Sequence, residues 1–160
     1  MNDLSRKISR RVFLSLLGLA AFSISAFSQG LVKFKKSKVL INSVKGNHQF
    51  EVEMAITDQQ HAQGLMYRRS MAANAGMLFD YGTPQRIRMW MRNTFIPLDM
   101  LFIDGNGKII NIAERTVPRS ETVIGSKEYV RAVLELNGGT VSRLAIKPGD
   151  LVYHPIFEVR

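Results

Sequence analysis

GMLFDYGTPQRIRMWMRNTFIPLDMLFID, residues Gly76 to Asp104, holds the chain's one Trp, four of its eight Met and three closely spaced Arg. Within it Ile87, Met89 and Met91 alternate with Arg86, Arg88, Trp90 and Arg92. A period of two is the mark of a strand with one buried face. The opposite face then sets three guanidinium groups around an indole. Asn93-Thr94 breaks the pattern and Pro97 opens a second strand, Leu98 to Ile103, which is apolar apart from Asp99. Asp104-Gly105-Asn106-Gly107 is a tight turn, so Lys108 to Ala113 returns as the hairpin partner of that strand.

The same reading extends in both directions. Toward the N-terminus, a Lys-rich lead over 29–38 precedes a first strand at Val39-Leu40-Ile41. Lys45-Gly46-Asn47 turns it back into His48 to Ile56, where Phe50, Val52, Met54 and Ile56 share one face. Thr57 followed by Gln60 is a capping box, and Gly64 ends the short helix it starts. Leu65 and Met66 then anchor its end in the core, and Tyr67-Arg68-Arg69 forms an exposed basic knuckle. Gly76 to Phe79 is a short strand, with a turn at Tyr81-Gly82-Thr83-Pro84. Toward the C-terminus, Glu114 to Lys127 is polar and without period, a candidate for a flexible loop over a binding surface. Tyr129 to Leu136 is a strand, and Thr140 to Ala145 a short helix. Lys147-Pro148-Gly149-Asp150 fits a type II turn before a closing strand, Leu151 to Val159, in which Pro155 favours an edge or a bulge. The sum over 39–160 is one mainly β domain: a compact β-sandwich or jelly-roll-like barrel with two short helices.

The 160 residues include no Cys, which removes disulfides, thiolate metal sites and a Cys nucleophile. The net charge of +9 favours anionic partners, though Arg6, Lys7, Arg10 and Arg11 belong to what reads as an export signal over 1–28. Its apolar run, Val12 to Ala26, is shorter than the about 20 residues a membrane span needs. Cleavage is expected after Ser28 or Ser25, leaving no stable transmembrane span. Ser9-Arg10-Arg11-Val12-Phe13-Leu14 resembles the twin-arginine motif, departing from it at Ser15. That resemblance implies a partner in the export machinery and a periplasmic or otherwise exported location.

Chemistry could rest on three features. Asp99 sits in an apolar strand and needs a cation or backbone donors, for which Arg92, Asn93 and Thr94 are close in sequence; it serves either as a ligand-binding or acid/base group or as a clasp on the 93–97 turn. Glu135 poses the same problem inside Val133-Leu134-Glu135-Leu136, and the two carboxylates are the catalytic candidates of a small hydrolase or lyase beside Arg92. The face of Arg86, Arg88, Trp90 and Arg92 is a platform for sugar rings and anions. Its bland counterpart is a solvated strand face. Met89 and Met91 raise Cu(I) handling, or simply a core; His48, His61 and His154 show no ligand spacing, and no metal or cofactor is assigned. No G-x-S-x-G, H-E-x-x-H or phosphate loop occurs. A lone Trp and an export signal argue against nucleic acid.

Gly64-Leu65-Met66-Tyr67-Arg68, Gly76-Met77-Leu78-Phe79, the run from Trp90 to Asp104, Val133 to Gly139 and Pro148-Gly149-Asp150 together resemble the prokaryotic domain of unknown function 192 family. The resemblance runs from Val39 to His154, with Arg92 where Lys is common and Gly139 where Ala often sits. It implies a sandwich of jelly-roll type and an envelope-associated location, and no agreed activity. It marks Arg68, Met91, Arg92, Asn93, Thr94, Asp99 and Glu135 as positions of interest. The leading expectation is a non-catalytic envelope module holding an anionic glycan or cell-wall component through Arg68, Arg86, Arg88, Trp90, Arg92, Asn93 and Thr94.

Overall fold

A computed structural model describes residues 32–157, so the expected export signal and the last three residues lie outside it. Among the described residues no helix is long and apolar enough to cross a membrane. The hairpin of β1 (Lys35–Ser43) and β2 (Gly46–Ala55) turns at Gly46, whose φ of 105° suits a residue without Cβ. β1 thus takes in the last residues of the Lys-rich lead. Phe50, Val52 and Met54 are buried as their period requires, but Ile56 lies past the strand end and is exposed; Ala55 is buried in its place. α1 (Asp58–Gln63) carries the full capping box, with Thr57 Oγ1 accepting from Gln60 N and Gln60 Oε1 accepting from Thr57 N.

β3 (Ala75–Gln85) runs through the expected turn at Tyr81–Pro84, which proves to be a break in its register between Asp80 and Gln85. β4 is only Arg88–Met89, followed by β5 (Leu98–Ile103), β6 (Ile109–Ala113), β7 (Ile124–Gly125) and β8 (Val130–Asn137). α2 (Thr140–Leu144) and β9 (Leu151–Tyr153) end the described chain. The closing strand is shorter than its pattern suggests because Pro155 has no N–H for a ladder, and a turn at 154–157 replaces it. The Lys147–Asp150 turn forms as expected, with Gly149 at φ 98°.

Seven strands make one sheet in the order β6-β5-β8-β3-β2-β1-β9, antiparallel except for β2 and β3, which α1 connects. The ends of that order meet. Ile109 N donates to Asp150 O (3.0 Å), Gly149 N to Ile109 O (2.8 Å) and Val152 N to Gly107 O (2.7 Å). The sheet is therefore a half-barrel drawn together along one rim. Its inner face gathers Ile41, Val52, Leu101, Ile109, Leu134 and Val152, with Val141 and Ile146 from α2 and its C-terminal cap filling the end. Its outer face carries a second apolar cluster, including Met77, Phe79, Met100, Phe102 and Val133, roofed by Leu65, Ile87 and Met91. All six residues of β5 are buried because both of its faces are covered. The chain is mainly β with two short helices, as the patterning requires.

Candidate functional site

Segment 86–94 lies on the outer face. Ile87 and Met91 are buried while Arg86, Arg88, Trp90 and Arg92 are exposed, so the alternation holds although only two residues form a ladder. Its partner is the stretch expected as a flexible loop. Ile87 N donates to Ser126 Oγ (3.0 Å), Ser126 N to Ile87 O (2.9 Å) and Met91 N to Ser120 O (2.9 Å), around the β4–β7 pair. Left-handed Arg115 and Arg119 bend the loop into position, and Arg119 N donates to Thr94 O (3.0 Å).

Between this ribbon and α1 opens a cavity of about 300 Å³. Glu135 lies at its floor beside Phe79 and Tyr81, α1 and its end contribute His61, Leu65 and Met66, and Arg88, Trp90 and Arg92 stand at the mouth. Gly64 lets α1 approach, since a Cβ there would sit 3.1 Å from the Phe79 ring. Glu135 is 4% exposed, and among the described residues no hydrogen bond or ion pair reaches its carboxyl, whose oxygens open onto the cavity. Burial pushes its pKa up to about 8, so it is mostly protonated at neutral pH. The Tyr81 hydroxyl is raised to about 12, by burial first and the nearby Glu135 second. It donates to Met89 Sδ (3.4 Å), and its ring stacks on His61 at 4.4 Å. His61 Nε2 lies 2.9 Å from Ala55 O and 3.2 Å from Asp80 O, so that nitrogen carries its proton.

Of the expected ligand-binding residues, Arg88, Trp90, Arg92 and Thr94 meet at this cavity. Arg92 lies over the Trp90 ring at 5.5 Å and 3.7 Å from Glu121, an exposed pair of little strength. Thr94 is buried, and its hydroxyl donates to Arg92 O (3.4 Å). The other three are engaged elsewhere. Arg86 donates to Lys127 O and covers Tyr129. Arg68 is held bidentately by Glu53 (2.9 and 2.6 Å), which lowers the Glu53 pKa, so this knuckle residue is half-buried and paired. Asn93, at φ 56°, donates to the Tyr67 hydroxyl (3.0 Å) and accepts from Tyr67 N (2.8 Å).

Asp99 and Glu135 do not converge. Asp99 pairs with Leu136 and Glu135 with Met100, so the two carboxyls point to opposite faces of the sheet. The donors to Asp99 are not those near it in sequence. Arg115 N (2.8 Å) and Gly139 N (3.0 Å) donate to Oδ1, and Val141 N (2.8 Å) to Oδ2. It clasps the 115 loop and the start of α2, instead of the 93–97 turn. The Met face is largely core: Met91 is fully buried, and its sulfur accepts from Thr116 Oγ1 (3.1 Å). Among the described residues no three His, Asp or Glu group as a metal site. Ser37 Oγ lies 2.8 Å from His154 Nε2, but Ile156 N donates to Nδ1 (3.3 Å), leaving Nε2 protonated and unable to act as a base.

His61 and Tyr81 were not legible as site residues. His61 is one polar residue in a six-residue helix, and Tyr81 lies in a stretch that reads as a turn. Met66 belongs to the Gly64–Arg68 block and was legible only as a core anchor.

The DUF192 family pattern (Uncharacterized ACR) matches residues 40–154. No curated protein matches the chain. A candidate transcription regulator from Sinorhizobium meliloti 1021 has a similar crystal structure, with a TM-score of 0.77 and 48% identity. The match covers 80% of this chain and all of that one. A protein of unknown function from Novosphingobium aromaticivorans DSM 12444 is similar at a TM-score of 0.75 and 39% identity, over 78% of this chain and 89% of its own. With most of the described residues inside the matched region, the chain belongs to the DUF192 family.

Proposed function

We propose that this is an exported envelope protein that binds an anionic, glycan-type ligand without transforming it. The observation carrying this reading is that Arg88, Trp90 and Arg92, set apart by a period of two, stand at the mouth of one cavity. Two guanidinium groups there can grip a carboxylate or phosphate, and a half-exposed indole offers a face for a sugar ring. Glu121, 3.7 Å from Arg92, is exposed enough to yield to a ligand. With Asp99 engaged by three backbone donors on the other side of the sheet, Glu135 is the one carboxylate among the described residues lining the cavity, where a paired acid and base would need two. Exported status rests on the twin-arginine-like segment.

The chain has a single Trp, so its fluorescence reports this mouth alone. Titration of the full chain with glucuronic acid and a sugar phosphate should shift Trp90 emission, and Arg88→Ala with Arg92→Ala should weaken binding by about tenfold or more. Duplex DNA belongs in the same titration, because one relative is described as a candidate transcription regulator. A response to DNA and none to acidic sugars would overturn the reading. Fractionation of cells carrying Arg10→Lys and Arg11→Lys tests export.

A further inference from the structure

The mouth of the cavity accounts for an anion, and the interior behind it selects what else enters. The interior is Leu65, Met66, Phe79 and Met89, with Tyr81 and His61. The Tyr81 hydroxyl is engaged by Met89 Sδ, and His61 Nε2 by two carbonyl oxygens. Glu135 at the floor keeps free capacity, and so does the half-buried Gln63 at the end of α1. A ring rich in hydroxyls would leave several of them unpaired inside, each weakening binding. A small, mostly methyl group with one acceptor oxygen would not. At about 300 Å³ the cavity is at the lower end of small-molecule sites, room for one substituent and part of a ring.

Resting on the reading above, we infer that the ligand is an acylated acidic sugar. Its acid group lies between Arg88 and Arg92, its ring lies against Trp90, and its acyl group enters the cavity. The acyl methyl packs among Leu65, Phe79 and Met89, and the acyl carbonyl oxygen accepts a hydrogen bond from the Glu135 carboxyl. The proton needed for that bond is present at neutral pH, because burial holds the Glu135 pKa at about 8. The titratable and charged groups around the same cavity are His61 from α1, Tyr81 from β3, and Arg88 and Arg92 from the ribbon. The strand neighbours directly opposite Glu135 are Met77 and Met100, which do not titrate, and Asp99 faces the other side of the sheet.

The test titrates the full chain, by Trp90 fluorescence, with N-acetylmuramic acid, glucuronic acid and N-acetylglucosamine at pH 6.5 and pH 9. At pH 6.5 the acylated acid should bind about tenfold tighter than either sugar lacking one of the two groups. At pH 9 its advantage over glucuronic acid should vanish as Glu135 ionises. Glu135→Gln, whose amide still donates, should keep that advantage at both pH values, and Glu135→Leu should lose it at both. Arg88→Ala with Arg92→Ala should weaken both acids equally. Equal binding of the two acids to the native chain, or a preference that survives Glu135→Leu, would overturn the acyl inference and leave the anion reading standing. Failure of every acidic probe would overturn both. If Glu135→Leu does not fold, the pH dependence of Glu135→Gln against the native chain decides the matter.

Discussion

Asp99 and Glu135 are the same chemical group buried one strand apart, and their neighbours give them opposite characters. Asp99 accepts three backbone N–H groups, so its charge is answered where it sits. Asp99→Asn would set an NH₂ against at least one of those donors, and the expected cost is about 2–4 kcal/mol, read as a lower melting temperature. Glu135 has no such answer. Its pKa rises from an ordinary 4.5 to about 8, so between those values the folded chain keeps a proton that the unfolded chain has released. The residue's contribution to stability therefore falls as pH rises from about 4.5 to about 8 and then levels off. Glu135→Gln should stabilise the fold little at pH 4.5 and most at pH 9, there by an amount on the order of a few kcal/mol, read by chemical denaturation. Both carboxyls stood out in the sequence as intruders in apolar strands. Their faces did not, because β5 and β8 are buried on both sides and alternation prints no inner or outer label.

At the level of elements, short-range chemistry was the most legible. Thr57 and Gln60 mark the start of α1 because the capping box is a contact across three residues. Thr57→Ala should cost about 1 kcal/mol, measurable by chemical denaturation. What the local pattern omits is that Gln60 Nε2 also donates to Lys33 O, tying the helix to the chain before β1. The Arg/Trp segment shows the same division. Its burial alternation is visible in the sequence, whereas its two-residue ladder depends on a partner, Glu114–Lys127, that has no period of its own. Left-handed turns at Arg115 and Arg119 shape that partner, and these residue types give little sign of them.

For the whole molecule, the hairpins follow from turns, but the strand order does not. β8 enters between β5 and β3, and β2 lies parallel to β3, pairings that connect distant residues without a local signal. The rim is the most exacting of these. Gly107 has φ 83°, and a Cβ on it would lie 2.4 Å from the Val152 carbonyl oxygen. Gly107→Ala should destabilise the fold by roughly 2 kcal/mol or more. Hydrogen exchange should quicken first at Ile109 and Val152, whose amides close the rim.

The closure leaves one part of the sheet's border open. β9 covers only Leu40, Ile41 and Asn42 of β1, so among the described residues Lys35–Val39 lack a backbone strand partner on that side. An uncovered stretch of this kind is where a second copy could add its own strand and begin to aggregate. Lys35, Lys36 and Lys38 occupy it, and any copy approaching in register would bring three more like charges against them. The last lysines of the Lys-rich lead thus disfavour edge-to-edge pairing of two copies along this stretch.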